Sequence, residues 1–273
     1  MLIIDNSCLS YLMRRGALAR FRGSLRAADL VVALTELNLL EATAAKPDSL
    51  QADLIATLRM LAGNEPLLPW PFALLKGIGH SLARAERTYQ APVSGKEWYL
   101  DDLSALREIR EEVVAFHQSI ENAFTSLHEN NRKRIRAVLK SSKSHGNFED
   151  ARDFLERQWF DSELRRHFAT VTWRSFDLPD PVPFELIESS EAWRLLLDIE
   201  GLSVYERAVA WEEPSRVHRH DLLQLIYLAG SRRRILVTAD RALIRAGEAV
   251  LQRRYLNARV AHISDMISPA TGS

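Results

Sequence analysis

Short apolar runs alternate with helical patterns at both ends of the chain. The first run, "LII" at residues 2–4, is typical of a strand buried on both faces of a sheet. Asp5 ends this run, and capping residue types followed by leucines at helical spacing predict a helix that begins near Ser7. The chain therefore opens with a strand, an aspartate and a helix.

The same unit recurs later in the chain. The stretch "DLVVALTELNLLEATAA" predicts a buried strand over residues 30–33, followed by a helix capped by Thr35. Near the other end, "RHDLLQLIYLAG" predicts a helix with Gly230 as its C-cap, "RRILVTAD" predicts a strand ending in Asp240, and residues 258–264 predict a last strand. Strands that alternate with helices predict an α/β fold, a three-layer α/β/α sandwich with a mainly parallel sheet.

The middle of the chain has a different pattern. Apolar residues in "DDLSALREIREEVVAFHQSIENAF" recur every three or four positions, which predicts one long amphipathic helix or two joined ones. A second helical pattern begins near Asn147, and proline-bearing connectors flank the whole block. We therefore predict an all-helical insertion over residues 61–200, within an α/β core made of residues 1–60 and 201–273.

Composition narrows the choice of compartment and partner. Among the 273 residues, 47% are hydrophobic, and 36 basic residues balance 36 acidic ones, so any polyanion must be held by local patches. Cys8 is the only cysteine, so there is no internal disulfide, and we expect it to be a small buried residue. The chain has neither a signal-peptide pattern nor an apolar run of about 18 residues. These features predict a cytoplasmic protein without a membrane partner.

Four acidic residues lie near predicted strand ends, where proteins with a parallel sheet bind their ligands. Asp5 and Asp240 end strands, Glu41 lies on the helix after a strand, and Asp221 begins a helix before one. The carboxyl ends of parallel strands face a common crevice, so these side chains are expected to converge there. Clustered carboxylates repel each other unless a cation lies between them. Oxygen ligands suit Mg²⁺ or Mn²⁺, which activate water against phosphate esters.

The segments "LIIDNSCL", "LTELNLLEA", "HDLLQLIYLA" and "ILVTADRAL" resemble the four acidic motifs of the PIN-domain family of metal-dependent ribonucleases. The resemblance covers the two ends of the chain, and the helical insertion departs from the compact family pattern. It implies a catalytic set that also ligates the metal and a set of supporting polar residues. The first set is Asp5, Glu41, Asp221 and Asp240, and the second is Ser7, Asn38 and Thr238.

The second acidic ligand has two candidates on one helix. Glu36 and Glu41 would point about 140° apart at 100° per residue, so only one of them can face the site. Glu41 is preferred because Asn38 lies three residues before it on the same helical face, in an arrangement that matches the family. Glu36 remains the alternative.

Basic residues are concentrated in two places. One group lies in the helical insertion and the other comes after the first predicted strand, and either is a solvated surface or a contact for a nucleic-acid backbone. Scattered tryptophans favour packing over base stacking. The predicted nucleic-acid-binding residues are Arg14, Arg15, Arg132, Lys133, Arg134 and Arg136.

These features predict a metal-dependent endonuclease that hydrolyses phosphodiester bonds, in RNA rather than DNA, and the family resemblance implies a 5′-phosphate product. The alternative is a catalytically inactive PIN-like scaffold that binds nucleic acid or protein through its helical insertion. A third possibility is a toxin with an antitoxin-like regulatory protein as its partner. The sequence leaves the oligomeric state open.

Overall fold

A four-stranded parallel sheet organises the described part of the chain. The computed structural model describes residues 1–44, 48–61, 67–84, 148–160, 162–179, 183–208, 219–230, 233–251, 255 and 257–267, with isolated positions between 111 and 133. The strands are β1 (Leu2–Ile4), β2 (Val32–Ala33), β3 (Arg234–Thr238) and β4 (Ala258–His262). Their order is β2-β1-β3-β4, and all neighbours are parallel. The α/β class with a parallel sheet is confirmed.

The first strand is at the centre of the sheet. Leu2 pairs with Val32 on one side and with Ile235 on the other, so strands from both chain ends flank β1. The Asp5 backbone N–H continues this ladder by donating to the Val237 carbonyl at 2.9 Å. Because the strands are parallel, their carboxyl ends open on one edge of the sheet.

Helices make up most of the remaining described residues. The α-helices are α1 (Asn6–Arg14), α2 (Leu18–Ala27), α3 (Glu36–Ala44), α4 (Asp48–Leu61), α5 (Pro71–Ala83), α6 (Phe148–Phe154), α7 (Glu163–Ser175), α8 (Phe184–Ser189), α9 (Glu191–Ala208), α10 (Arg219–Leu223) and α11 (Arg241–Leu251). Residues Leu155–Trp159 form a π-helical turn, and Gln224–Leu228 and Ile263–Met266 form 3₁₀ turns. Within these ranges no helix has both the length and the apolar character needed to cross a membrane.

Several element boundaries differ from the sequence prediction. The strands predicted over residues 30–33 and 258–264 are shorter at their ends, and the helix predicted to reach Gly230 becomes a 3₁₀ turn after Leu223. The helix predicted from Asn147 ends before Ser162, whose hydroxyl accepts from the Arg165 N–H at 3.0 Å and caps α7. The long helix predicted around residues 101–140 lies largely outside the described residues, although the described positions from 111 to 130 are helical.

Hydrophobic clusters cover both faces of the sheet. Leu2 and Ile4 point to one face, where they join residues of α1, α2 and α4, including the fully buried Cys8. Burial raises the pKa of the Cys8 thiol well above its usual range, and the nearby Asp5 charge adds to this effect. Ile3 and Leu236 point to the opposite face and join a larger cluster with α5, α7, α9 and α11. Cys8 is therefore a buried core residue, as expected.

The helical segment shares the larger of these clusters with the sheet. Trp159, Trp173 and Trp193 are each at most 1% exposed there, so they are packing residues as predicted, while Trp98 and Trp211 lie outside the described residues. Helix α9 continues through the predicted boundary at residue 200. A Cβ at Gly201 would lie 2.5 Å from the Trp159 Nε1, so the tight contact between α9 and the π-helical turn requires glycine.

A buried ionic network joins α7, α8 and α9 to the segment before β4. The fully buried Arg165 donates through Nε to Glu188 at 2.9 Å and through Nη1 to Asp198. The Tyr255 hydroxyl donates to the other Asp198 oxygen at 2.7 Å. Burial opposes the charge on Arg165, but the two carboxylates outweigh burial and raise its pKa. The network therefore holds an ionised arginine inside the helical packing.

Candidate acidic site

Asp5 lies at the carboxyl end of the central strand, and three donors hold its carboxylate. The residue is only 6% exposed. Its Oδ2 accepts from the hydroxyls of Ser7 and Thr238, the latter at 2.7 Å. Its Oδ1 accepts from the Gln224 side-chain amide at 3.3 Å. Side chains from α1, β3 and the turn after α10 therefore fix the orientation of Asp5.

The two hydroxyls beside Asp5 connect it to the end of β3. The Ser7 and Thr238 oxygens are 3.0 Å apart, and each hydroxyl uses its single proton on Asp5. Each oxygen also accepts a backbone N–H, from Ala239 at 3.0 Å for Ser7 and from Asp240 at 2.9 Å for Thr238. The predicted supporting hydroxyls thus contact Asp5 directly and bond the strand-end turn.

Glu41 on α3 is in the electrostatic field of two other carboxylates. Burial and the negative charge of Asp5 raise its pKa from 4.5 to about 7, with a further contribution from Asp221. Asn6 opposes part of this rise by donating its side-chain amide to Glu41 Oε2 at 2.7 Å. The other oxygen, Oε1, is buried and has no hydrogen-bond partner among the described residues. Folding therefore brings Asp5, Glu41 and Asp221, from both chain ends, within electrostatic reach.

Asn38 joins α3 to the end of the central strand. Its Oδ1 accepts from the Thr35 N–H at 2.9 Å, and its own N–H donates back to the Thr35 hydroxyl at 3.1 Å. This reciprocal pair is a capping box, so Thr35 caps α3 as predicted. The Asn38 side-chain amide also donates to the Ile4 carbonyl at 2.9 Å and to Asn6 Oδ1 at 3.1 Å. Asn38 therefore supports Glu41 through Asn6.

The two glutamates of α3 have different surroundings. Glu36 Oε2 accepts from the Trp70 backbone N–H at 2.9 Å, which ties the start of α3 to the segment that leads into α5. Glu41 is the one that meets Asn6 and the field of Asp5. The two side chains therefore have different neighbours, as expected from their different directions on the helix.

Asp240 caps the helix that follows β3. Its Oδ1 accepts from the Ala242 N–H at 2.7 Å, and its own N–H is bonded to Thr238. Asp240 is thus linked to Asp5 through the Thr238 hydroxyl. Half-buried Asp221 lies on α10 and acts on Glu41 through its charge.

The carboxylates are not tightly grouped in this conformation. Within the ranges that the structure covers, no three aspartate, glutamate, histidine or cysteine side chains are close enough to hold one metal ion in common. The hydroxyl and amide donors around Asp5 occupy much of the capacity that a cation would use.

The predicted nucleic-acid-binding residues of α1 lie at the other end of that helix from Asp5. Arg14 and Arg15 are exposed at the C-terminal end of α1, whereas Asp5 precedes its N-terminus, so a helix length of roughly 13 Å separates them. Lys133 is also exposed. The other predicted basic residues, Arg132, Arg134 and Arg136, lie outside the described residues.

Sequence reasoning missed two side chains of the site. The sequence indicates only that Asn6 is one of the capping residue types before the first helix, although Asn6 bonds Glu41 and Asn38. Gln224 was not singled out, although it is the one polar residue in the run "LLQLIYL" and follows Asp221 by three positions. A polar residue in the middle of a buried apolar helical run is the signal that could have identified Gln224.

Comparison of the chain with protein-family models, with curated proteins and with solved structures gives no match. The function is therefore inferred from the geometry of the acidic site and from the sequence motifs.

Proposed function

We propose that the protein is a metal-dependent endonuclease that hydrolyses phosphodiester bonds in RNA. The observation that carries the proposal is that Asp5, which is buried at the carboxyl end of the central strand, and Asp221 both act through their negative charges on Glu41. Both charges that act on Glu41 are negative, and both disfavour its ionisation. A divalent cation is the partner that would make ionisation of this group favourable.

The available donors fit a hard cation. They are carboxylate oxygens, and the buried Glu41 Oε1 has no donor among the described residues. In the proposal, Mg²⁺ or Mn²⁺ is held by Asp5, Glu41, Asp221 and Asp240, which agrees with the preference of both ions for oxygen ligands. When bound, such an ion polarises the phosphoryl group and lowers the pKa of the attacking water.

The surrounding side chains would orient these ligands. Ser7 and Thr238 fix the Asp5 carboxylate, and Asn6, itself held by Asn38, fixes one oxygen of Glu41. Partners that hold a ligand in this way commonly set metal affinity and activity. Their role in the proposal is to keep the acidic groups aligned before the substrate arrives.

The proposal includes a PIN-like, three-layer fold and an RNA-binding surface. Two hydrophobic clusters on opposite faces of the sheet support the layered arrangement. Exposed Arg14, Arg15 and Lys133 would contact the phosphate backbone, together with the rest of the basic run at residues 132–136. An RNA substrate and a single reduced cysteine are consistent with a cytoplasmic location.

A second candidate is a PIN-like scaffold that binds nucleic acid or protein but does not cut. It is favoured by the lack of a tight three-ligand group in the described part of the chain and by the hydrogen bonds that Asp5 already makes. Titration with Mn²⁺ separates the candidates, because the scaffold predicts no binding above background.

The nuclease proposal is tested with Asp5→Asn. This change keeps the size of the side chain and an acceptor oxygen but removes the charge. We expect the variant to fold, to lose Mn²⁺ binding and to lose cleavage of a labelled single-stranded RNA. Asp29→Asn is the matched control, since Asp29 is exposed in a turn at φ 50°, a conformation that asparagine also adopts readily. An Asp5→Asn protein that cuts RNA at the wild-type rate would exclude the proposed mechanism.

A further inference from the structure

Gln224 is a buried polar residue in an apolar environment. Its side chain is 1% exposed, and its neighbours Leu223 and Leu225 are almost completely buried. It begins the 3₁₀ turn that follows α10, three positions after Asp221. A buried side-chain amide normally pairs both its nitrogen and its oxygen, so each atom of Gln224 needs a partner.

The Gln224 nitrogen has a partner, and the oxygen has none among the described residues. Nε2 donates to Asp5 Oδ1 at 3.3 Å, which fixes the orientation of the amide, because the reversed group would bring two acceptor oxygens together. Oε1 is buried and makes no hydrogen bond within the described ranges. Since both atoms belong to one amide group, this oxygen lies beside the Asp5 carboxylate.

A second unpaired oxygen belongs to the same site. Glu41 Oε1 is likewise buried without a donor among the described residues, and Glu41 is in the field of Asp5. Ionised Glu41 and the Gln224 amide oxygen are both acceptors, so neither can satisfy the other through a hydrogen bond. A cation satisfies all three groups together.

We propose that Gln224 is a neutral oxygen ligand of the cation that Asp5 and Glu41 hold. This inference rests on the proposed function. Amide oxygens are ordinary ligands of hard divalent cations, and a neutral ligand adds no further charge to a site already rich in carboxylates. Through its nitrogen Gln224 holds Asp5, and through its oxygen it completes the ligand set.

The roles of the amide nitrogen and the amide oxygen can be tested separately by substitution, with all measurements at pH 8. Gln224→Met removes both polar atoms at similar volume, and we expect it to weaken Mn²⁺ binding by roughly tenfold to hundredfold. The same change removes an unpaired buried oxygen together with the donor to Asp5, and these two effects oppose each other, so the melting temperature of the metal-free protein should change little. Gln224→Glu keeps an oxygen ligand, adds a negative charge and loses the donor to Asp5. It should therefore bind Mn²⁺ more tightly and melt at a lower temperature without metal.

Gln51→Met is the matched control. Gln51 is 4% exposed, and its Nε2 donates to the Thr43 carbonyl at 3.0 Å. The substitution removes a structural hydrogen bond from a buried glutamine, so we expect a lower melting temperature and an unchanged Kd for Mn²⁺.

Isothermal titration of Mn²⁺ into each metal-free protein decides between the outcomes. The inference is overturned if Gln224→Met binds Mn²⁺ within twofold of wild type. It is also overturned if Gln224→Glu weakens binding, because Gln224 would then act only by orienting Asp5. If the wild-type protein binds Mn²⁺ and cuts RNA, and the Gln224→Met variant does so equally well, only the proposed role of Gln224 is contradicted. If the wild-type protein binds no Mn²⁺, the proposed function itself is contradicted.

Discussion

Replacing Glu41 with glutamine is expected to stabilise the metal-free protein above neutral pH. The substitution keeps the shape of the side chain and an oxygen that accepts from Asn6, and it removes a charge that burial and Asp5 disfavour. The new amide group can also donate hydrogen bonds where Glu41 Oε1 has no donor among the described residues.

The size and the pH window follow from the pKa of Glu41. A rise from 4.5 to about 7 corresponds to folding free energy on the order of 3 kcal/mol. Because the folded protein holds this proton more tightly than the unfolded chain, the contribution is fully present below pH 4.5 and is lost as the pH rises through 7. At pH 8 Glu41→Gln avoids that loss, whereas at pH 5 the advantage falls below about 1 kcal/mol.

Thermal denaturation followed by circular dichroism, in EDTA at pH 5 and pH 8, measures the difference. We expect Glu41→Gln to melt roughly 6 to 12 °C above wild type at pH 8, from the usual conversion for a protein of this size. Glu36→Gln removes one charge from the same helix and controls for net charge. A gain of equal size at both pH values, or a loss at pH 8, would refute the account of Glu41.

Four further outcomes are expected. Mn²⁺ at a hundred times its Kd should raise the unfolding free energy by about 2.7 kcal/mol, seen as a higher melting temperature, and an unchanged melting temperature at millimolar metal would contradict the site. Asn38→Ala leaves the Ile4 carbonyl without its donor and should cost about 2 to 3 kcal/mol in urea denaturation. Arg165→Met leaves the buried Asp198 without its cationic partner and should cost about 3 to 5 kcal/mol in the same assay, whereas a loss under 1 kcal/mol would mean that the network is dispensable. Gly201→Ala pushes a methyl group against Trp159 and should cost about 1 to 3 kcal/mol.

The existence of the strands and the acidic residues that follow them were predictable because each depends on local pattern. A short apolar run ending in Asp5, and a Thr35 cap followed by a helix, can be recognised within a few residues. The hydrogen bonds of Asn6 and Gln224 were not predictable, because their partners lie on other elements and the distances exist only after folding. Two-residue strand β2 shows the same limit, since pairing rather than propensity sets its length.

The breaks between helices were not predictable where the apolar residues keep helical spacing across them. The pattern through residues 148–175 keeps helical spacing, yet the chain passes through a π-helical turn and starts again after Ser162. Trp159 in that turn packs against Gly201 of α9, and a one-dimensional pattern does not encode such a contact. The sequence alone also does not separate two roles for Asp240. A helix cap and a residue of the acidic site need the same residue type at the same position.

The position of β1 between strands from opposite ends of the chain also governs timing. Met1 bonds the Arg233 carbonyl across 232 positions, so the centre of the sheet stays open until the residues of β3 have been synthesised. At ordinary elongation rates that interval is on the order of 10 to 50 s. During this interval the nascent chain lacks Thr238 and Gln224, which contact Asp5 in the folded protein. The proposed nuclease would therefore be inactive on the ribosome until these residues have been added.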